Sequence, residues 1–206
     1  MTEPAELAGD LRHEEAISLG ERNGWHHTHE EHSLAERWPG APFGHGSWPK
    51  IHNVMRAQVG ERTGILAFDY RYCVFSETDA DVSDRYMLHR YLVVVIPLAA
   101  PVPALSASEG HYSHWRPKGE RVPVQHERFG EHYDVVGDDP DFAAAVLEPE
   151  WMTRVLKRMR RTEWRLEGPE LIAWARDQHV GHDLEALLEV LVPLADAADR
   201  AALSSR

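Results

Sequence analysis

The sequence predicts an α+β fold with a mainly antiparallel sheet of about six or seven strands and N-terminal, middle and C-terminal helices. Three observations carry this. The stretch ILAFDYRYCVF alternates large and small or polar residues at period two over residues 65–75. A β-branched run, RYMLHRYLVVVIPL, follows it after a short polar insert. Apolar residues at helical spacing occur at both ends, with no strand–helix–strand alternation between them.

Taken in order, residues 4–23 place Leu7, Leu11, Ala16, Ile17 and Leu19 among charges, a helical pattern closed by Asn23-Gly24. Trp25 and the run HHTHEEH then read at period two as a strand leading into a loop. Residues 38–49, WPGAPFGHGSWP, hold three prolines and three glycines and form a loop. IHNVMRAQV ends at Gly60, and the GERTG turn leads into ILAFDYRYCVF. With residues 85–98 these strands suggest an antiparallel meander. VPALSAS reads as a further short strand, 109–128 as loop, and FGEHYDVVG as a strand. Asp138-Asp139 before Pro140 start a helix, and Pro149 starts another. TEWRLEG and ELIAWAR flank Gly168-Pro169 as a hairpin. Asp183 caps a last helix that presents Leu184, Leu187, Leu188, Leu191 and Leu194 on one face and contains Pro193. The chain is read as one domain, 1–206, with a helical arm (1–23) on an α+β core (24–206).

Composition narrows the function. The 206 residues include 34 acidic and 22 basic side chains, a formal net charge of −12. Such a surface repels phosphate backbones and anionic lipid, so neither a nucleic acid nor a membrane is an expected partner. The one basic cluster, RVLKRMRR, fits the cationic end of a helix. A single cysteine, Cys73, excludes a disulfide framework and, in an apolar run, suggests an inert thiol. The first 20 residues have no apolar core, and the longest apolar run, LVVVIPLAAPVPAL, is broken by three prolines. The expected compartment is the cytoplasm.

The strings SLAERWPGAPFGHG and ILAFDYRY, then FGEHYDVVGDDPDFAAAVLEPEWM and WRLEGPELIAW, resemble an uncharacterised family of actinobacterial proteins. The resemblance spans roughly residues 15–195 and implies organisation, not chemistry. Many members of that family carry membrane-spanning segments ahead of this domain.

The chemistry-bearing motifs are few. His29-Glu30-Glu31-His32 is not His-Glu-x-x-His, so no helical zincin is predicted. On a strand, His27 and His29 share a face and would chelate a metal with His32 as third ligand. Two other His-x-x-His pairs, His111/His114 and His179/His182, fall in polar segments read as loops. Gly-x-Ser-x-Gly, Gly-x-x-x-x-Gly-Lys and Gly-x-Gly-x-x-Gly are absent. Asp69, on the face opposite Phe68 and Tyr70, is expected to face solvent or a partner. Trp38 and Trp48 sit in a loop that does not readily bury them, and with Phe43 they are the candidate partner surface. The alternative is that the loop folds back over its own sheet. The main reading is therefore a non-enzymatic module that binds a protein partner or self-associates, without a cofactor. Against it stands a metal-binding protein or metal-dependent enzyme, with zinc on His27, His29 and His32. A third possibility is a small-ligand binder with a pocket under the 38–49 loop.

Overall fold

The computed structural model describes residues 4–76, 85–110, 115–117, 119–158 and 161–204. Its centre is a seven-stranded antiparallel sheet with helices, the predicted α+β class. Helix α1 (Pro4–Asn23) ends at Gly24, whose φ of 67° turns the chain into β1 (His26–Glu30). A 3-10 turn (His32–Glu36) and the Pro/Gly loop lead to β2 (Ser47–Val59), which pairs with β1 and with β3 (Arg62–Ser76).

The axis of the sheet is β4 (Arg85–Glu109). Residues 91–95 pair with β3 on one edge and β7 (Thr162–Arg176) on the other. Residues 105–107 pair with β7 and with β6 (Tyr133–Gly137), so β3 and β6 share one edge. Beyond β6 lies β5 (Glu120–Arg121). The expected break at the prolines does not occur, because Pro97, Pro101 and Pro103 fall where that shared edge passes from β3 to β6. No ladder bond needs their missing N–H groups there. Polar contacts replace the ladder: Arg62 donates to the Pro97 carbonyl at 2.8 Å and Ala99 N donates to Asp199 at 2.8 Å. Gly168-Pro169 is likewise no hairpin. Gly168 (φ 58°) sits at a register shift in β7, opposite the proline stretch of β4, and the strand continues.

After β5 come α2 (Glu127–His132), which takes the FGEH read as strand, then α3 (Pro140–Val146) and α4 (Pro149–Arg158). The Asp139 carboxylate accepts from the amides of Asp141 and Phe142, as the helix-start reading required. Helix α5 (Val180–Ser204) runs on through Pro193.

Two cores result. Helices α1 and α5 and the middle helices cover one face of the sheet, over Met55, Ala67, Leu92, Val94 and Ala173. The Pro/Gly loop covers the other, placing Trp38, Ala41 and Phe43 on Phe68, Tyr70, Val93 and Trp174. Helices α1 and α5 approach so closely that a Cβ on Gly181 would lie 2.6 Å from the Glu15 Cβ. Arg62 pins α5 to the β2–β3 turn through Asp196 and Asp199, at 2.5 and 2.6 Å.

The start of α5 is fixed by the sheet itself. Its first amide, Val180 N, donates to Asp69 Oδ1 at 2.8 Å. Asp69 therefore does not face solvent: it lies half-buried under the helix N-terminus. Asn53 Nδ2 donates to its other oxygen at 2.8 Å, and Asn53 Oδ1 accepts from His13 Nδ1 at 2.9 Å. Asp183, expected as the cap, sits inside the first turn and accepts from His179 N at 3.0 Å. Desolvation pushes the Asp69 carboxyl up to about 6 from 3.8, outweighing the hydrogen bonds from Asn53 and Val180 that lower it.

Two expectations follow from this packing. Leu187, Leu188 and Leu191 are buried, as the helical pattern required, and Leu188→Ala should cost roughly 2–5 kcal/mol in a denaturant titration. A loss under about 0.5 kcal/mol, the surface range, would show that α5 is not seated on the core. For Asp69, a carboxyl raised in the folded state contributes stability that is complete below about 3.8 and lost as pH rises through about 6. Wild type should thus gain stability relative to Asp69→Asn between about pH 7 and about pH 4.5. Urea titrations of both proteins at the two pH values check this, and a gap that does not move would refute it.

Candidate functional site

The loop face is not filled. Between the Pro/Gly loop and the sheet lies a cavity of about 350 Å³. Its floor comes from alternate residues of adjacent strands: Tyr72 and Val74 on β3, Met87, His89 and Tyr91 on β4, and Glu163 and Trp174 on β7. Trp115 closes one side, and Ala41, Pro42, His45 and Gly46 form the roof. The loop stays on the sheet for identifiable reasons. Trp38 Nε1 and Arg37 donate to the two oxygens of Glu170 on β7, at 2.6 and 2.8 Å. Arg165 donates to the Pro39 carbonyl at 2.6 Å. Gly46 (φ 67°) admits no side chain, since a Cβ would meet the Cys73 carbonyl at 2.4 Å.

The lining is aromatic and, among the described residues, holds one carboxylate, Glu163. Tyr72 stacks on His89 at 4.9 Å and on Tyr91 at 6.0 Å, and Trp115 meets Trp174 edge to face at 5.0 Å. Glu163 accepts from Trp174 Nε1 at 2.9 Å and from Glu109 N at 3.0 Å, so its carboxylate is oriented by the fold. No Lys or Arg lines the cavity among the described residues. Burial keeps the Tyr91 phenol protonated far above neutral pH, helped by its neighbour Tyr72. Among the described residues the lining places no nucleophile beside a base. It suits an apolar or aromatic body with a hydroxyl or cationic end directed at Glu163.

The predicted partner aromatics divide. Trp38 is 6% exposed and Phe43 1%, both stacked in the loop core, so the surface expected of them is not there. The loop instead folds back over its sheet, the other option open from the sequence. Trp48, 60% exposed, remains on the surface, as do Phe75 and Leu88, while the exposed Met87 faces the cavity. Register groups them: Ser47 and Leu88 pair with Cys73 from opposite edges of β3.

The predicted metal set also divides. His27, His29 and His32 do not converge. His27 is turned toward His13, with ring centroids 5.2 Å apart, and its pKa is lowered by desolvation against a hydrogen bond with Asn53. The residues that do come together are His29, Glu30 and His52, with their ligand atoms within 4.8 Å of one another. Register explains it, because Glu30 on β1 lies directly opposite His52 on β2. His52, isolated between Ile51 and Asn53, gave no sequence signal; only the pairing of β1 with β2 reveals it. Burial and the nearby Arg71 lower the His52 pKa. His179 lies in the connection just before α5 and His182 in the first turn of that helix, with rings 5.9 Å apart. His111 and His114 lie outside the described residues.

Among the described residues no helix is long and apolar enough to cross a membrane. No family model and no curated protein matches the sequence. Among solved structures, the crystal structure of the mycobacterial trehalose monomycolate transport factor A, TtfA, matches with a TM-score of 0.61 and 12% identity, covering 92% of this chain and 93% of that one. At that identity the likeness is one of fold, and it extends over nearly the whole of both chains.

Proposed function

We propose that the chain is a non-enzymatic binding module whose ligand occupies the aromatic cavity beneath the Pro/Gly loop. The observation that carries this is the cavity itself: about 350 Å³, walled by Tyr72, Tyr91, Trp115 and Trp174, with one oriented carboxylate, Glu163. An aromatic-lined opening of this size beneath a tightly tied loop supports a ligand-binding reading. A binding role agrees with the fold shared with a trehalose monomycolate transport factor, and that likeness assigns no ligand. The lining selects by charge. The Glu163 carboxylate disfavours an anionic head, while neutral hydroxyl-bearing and cationic heads are accepted.

The test uses displacement of a neutral fluorogenic dye by amphiphiles of matched chain length, kept below their micelle concentrations. Octyl glucoside and an octyl trimethylammonium salt should displace the dye, and octanoate should do so at least about tenfold less well. Val74→Trp, which fills the cavity from its floor, should lower dye affinity by roughly tenfold or more with an unchanged melting temperature. Dye binding indifferent to Val74→Trp would place the ligand elsewhere and refute the reading.

A second reading, a protein partner or a second copy of the chain, draws on the exposed Trp48, Phe75 and Leu88. If this group associates, sedimentation velocity should show a concentration-dependent species that Trp48→Ser with Leu88→Ser abolishes. A monomer at every concentration would remove self-association from consideration.

A further inference from the structure

We propose that His29, Glu30 and His52 form a binding site for a divalent transition metal of the zinc type, separate from the aromatic cavity and sharing no residue with it. The donors suit such an ion: two imidazoles and a carboxylate are borderline ligands that zinc accepts at about 2.0–2.2 Å. Tetrahedral bonds of that length separate ligand atoms by roughly 3.3 Å. Around Glu30 the separations bracket this value. His52 Nδ1 lies 3.0 Å from Oε1 and His29 Nε2 lies 3.8 Å from the same oxygen.

The site is built rather than incidental. Glu30 and His52 are cross-strand partners, which fixes their Cβ atoms side by side. A register shift between His52 and Met55, with Asn53 at a φ of 50°, bends β2 at this point. His29 Nδ1 lies 3.1 Å from His13 Nδ1 on one side of the ring, and its Nε2 faces Glu30 on the other. His32 Nε2 stands 3.1 Å from the second oxygen of Glu30, able to orient that carboxylate or to complete the set. Three protein ligands leave one position open, the arrangement of a metal that binds water or an incoming group.

The experiment uses untagged, metal-stripped full chain, titrated with Zn(II) by calorimetry and with Co(II) by visible absorption. One equivalent should bind, with the Co(II) spectrum of a four-coordinate N/O site. His29→Ala, Glu30→Gln and His52→Ala should each weaken binding by at least the roughly 10–100-fold that loss of an outer-shell partner costs. His26→Ala, in the same histidine run but outside the cluster, should not. His29 is largely exposed, so its variant keeps the fold, and circular dichroism of all four variants verifies this. Binding of several equivalents, no saturable binding, or equal losses for His26→Ala and His29→Ala would assign any uptake to scattered surface imidazoles and overturn the proposal. None of these outcomes bears on dye binding in the cavity.

Discussion

The hydrogen bond from Val180 N to Asp69 Oδ1 sets where the helical layer sits on the sheet. A helix N-terminus leaves amides without internal partners, and a carboxylate there is favoured by hydrogen bonding and by the helix dipole. In this fold the carboxylate comes from a central strand, 111 residues earlier in the chain. Capping and docking are therefore one event: α5 is satisfied at its start only when lying across β3. The cost is a desolvated acid whose carboxyl rises to about 6. Asn53 limits that cost by donating to the second oxygen, and its own carbonyl then takes the proton of His13. One chain of polar contacts thus joins α1, β2, β3 and α5.

The two faces of the sheet differ in what covers them, and the difference explains the cavity. Helices present side chains at regular spacing and mesh with the small residues Ala67, Ala173 and Ala175 beneath them. The opposite face carries rings from Tyr70, Tyr72, Tyr91 and Trp174 and is covered by a loop rich in proline and glycine. The loop is tied at one end by Trp38 and Arg37 to Glu170, and at the other by Gly46 against Cys73. Between these ties it supplies Ala41, Pro42 and His45, too little volume to fill the space over the rings.

The elements most legible in the sequence were those with strong periodicity or a local signal. The alternation through ILAFDYRY, the leucine stripe of α5, the Asn23-Gly24 stop and the Asp139 cap all reflect physics within a few residues of chain. The misreadings needed knowledge of partners. Pro97, Pro101 and Pro103 look like strand breakers, yet they occupy the one stretch of β4 whose edge passes between two neighbours. Gly168-Pro169 looks like a hairpin, yet it sits opposite that stretch and bends a continuous strand. Asp69 has the alternation of a solvent-facing residue because nothing local announces a helix that starts 111 residues later. The candidate sites follow the same rule. A pocket under the 38–49 loop was foreseeable from the loop's composition. The floor of that pocket comes from β3, β4 and β7, and its composition requires their order in the sheet. His27 and His32 look like ligands by sequence distance, whereas His52 becomes one by register.

The two candidate sites share an electrostatic setting. A net charge of −12 creates a field that concentrates cations near the surface and depletes anions. Within the aromatic cavity this field adds to the local effect of the Glu163 carboxylate. Around Glu30 it adds to a carboxylate already surrounded by imidazoles, and burial, with the nearby positive charges of Arg71 and Lys50, holds His52 toward its neutral form. A neutral imidazole is the form that binds a metal, so the basic residues next to His52 favour coordination through the ligand even as they oppose it through space. The balance between these effects depends on distance. Screening at physiological salt, with a decay length of about 8 Å, suppresses the diffuse field and leaves the contacts around Glu30 and Glu163 to decide what binds.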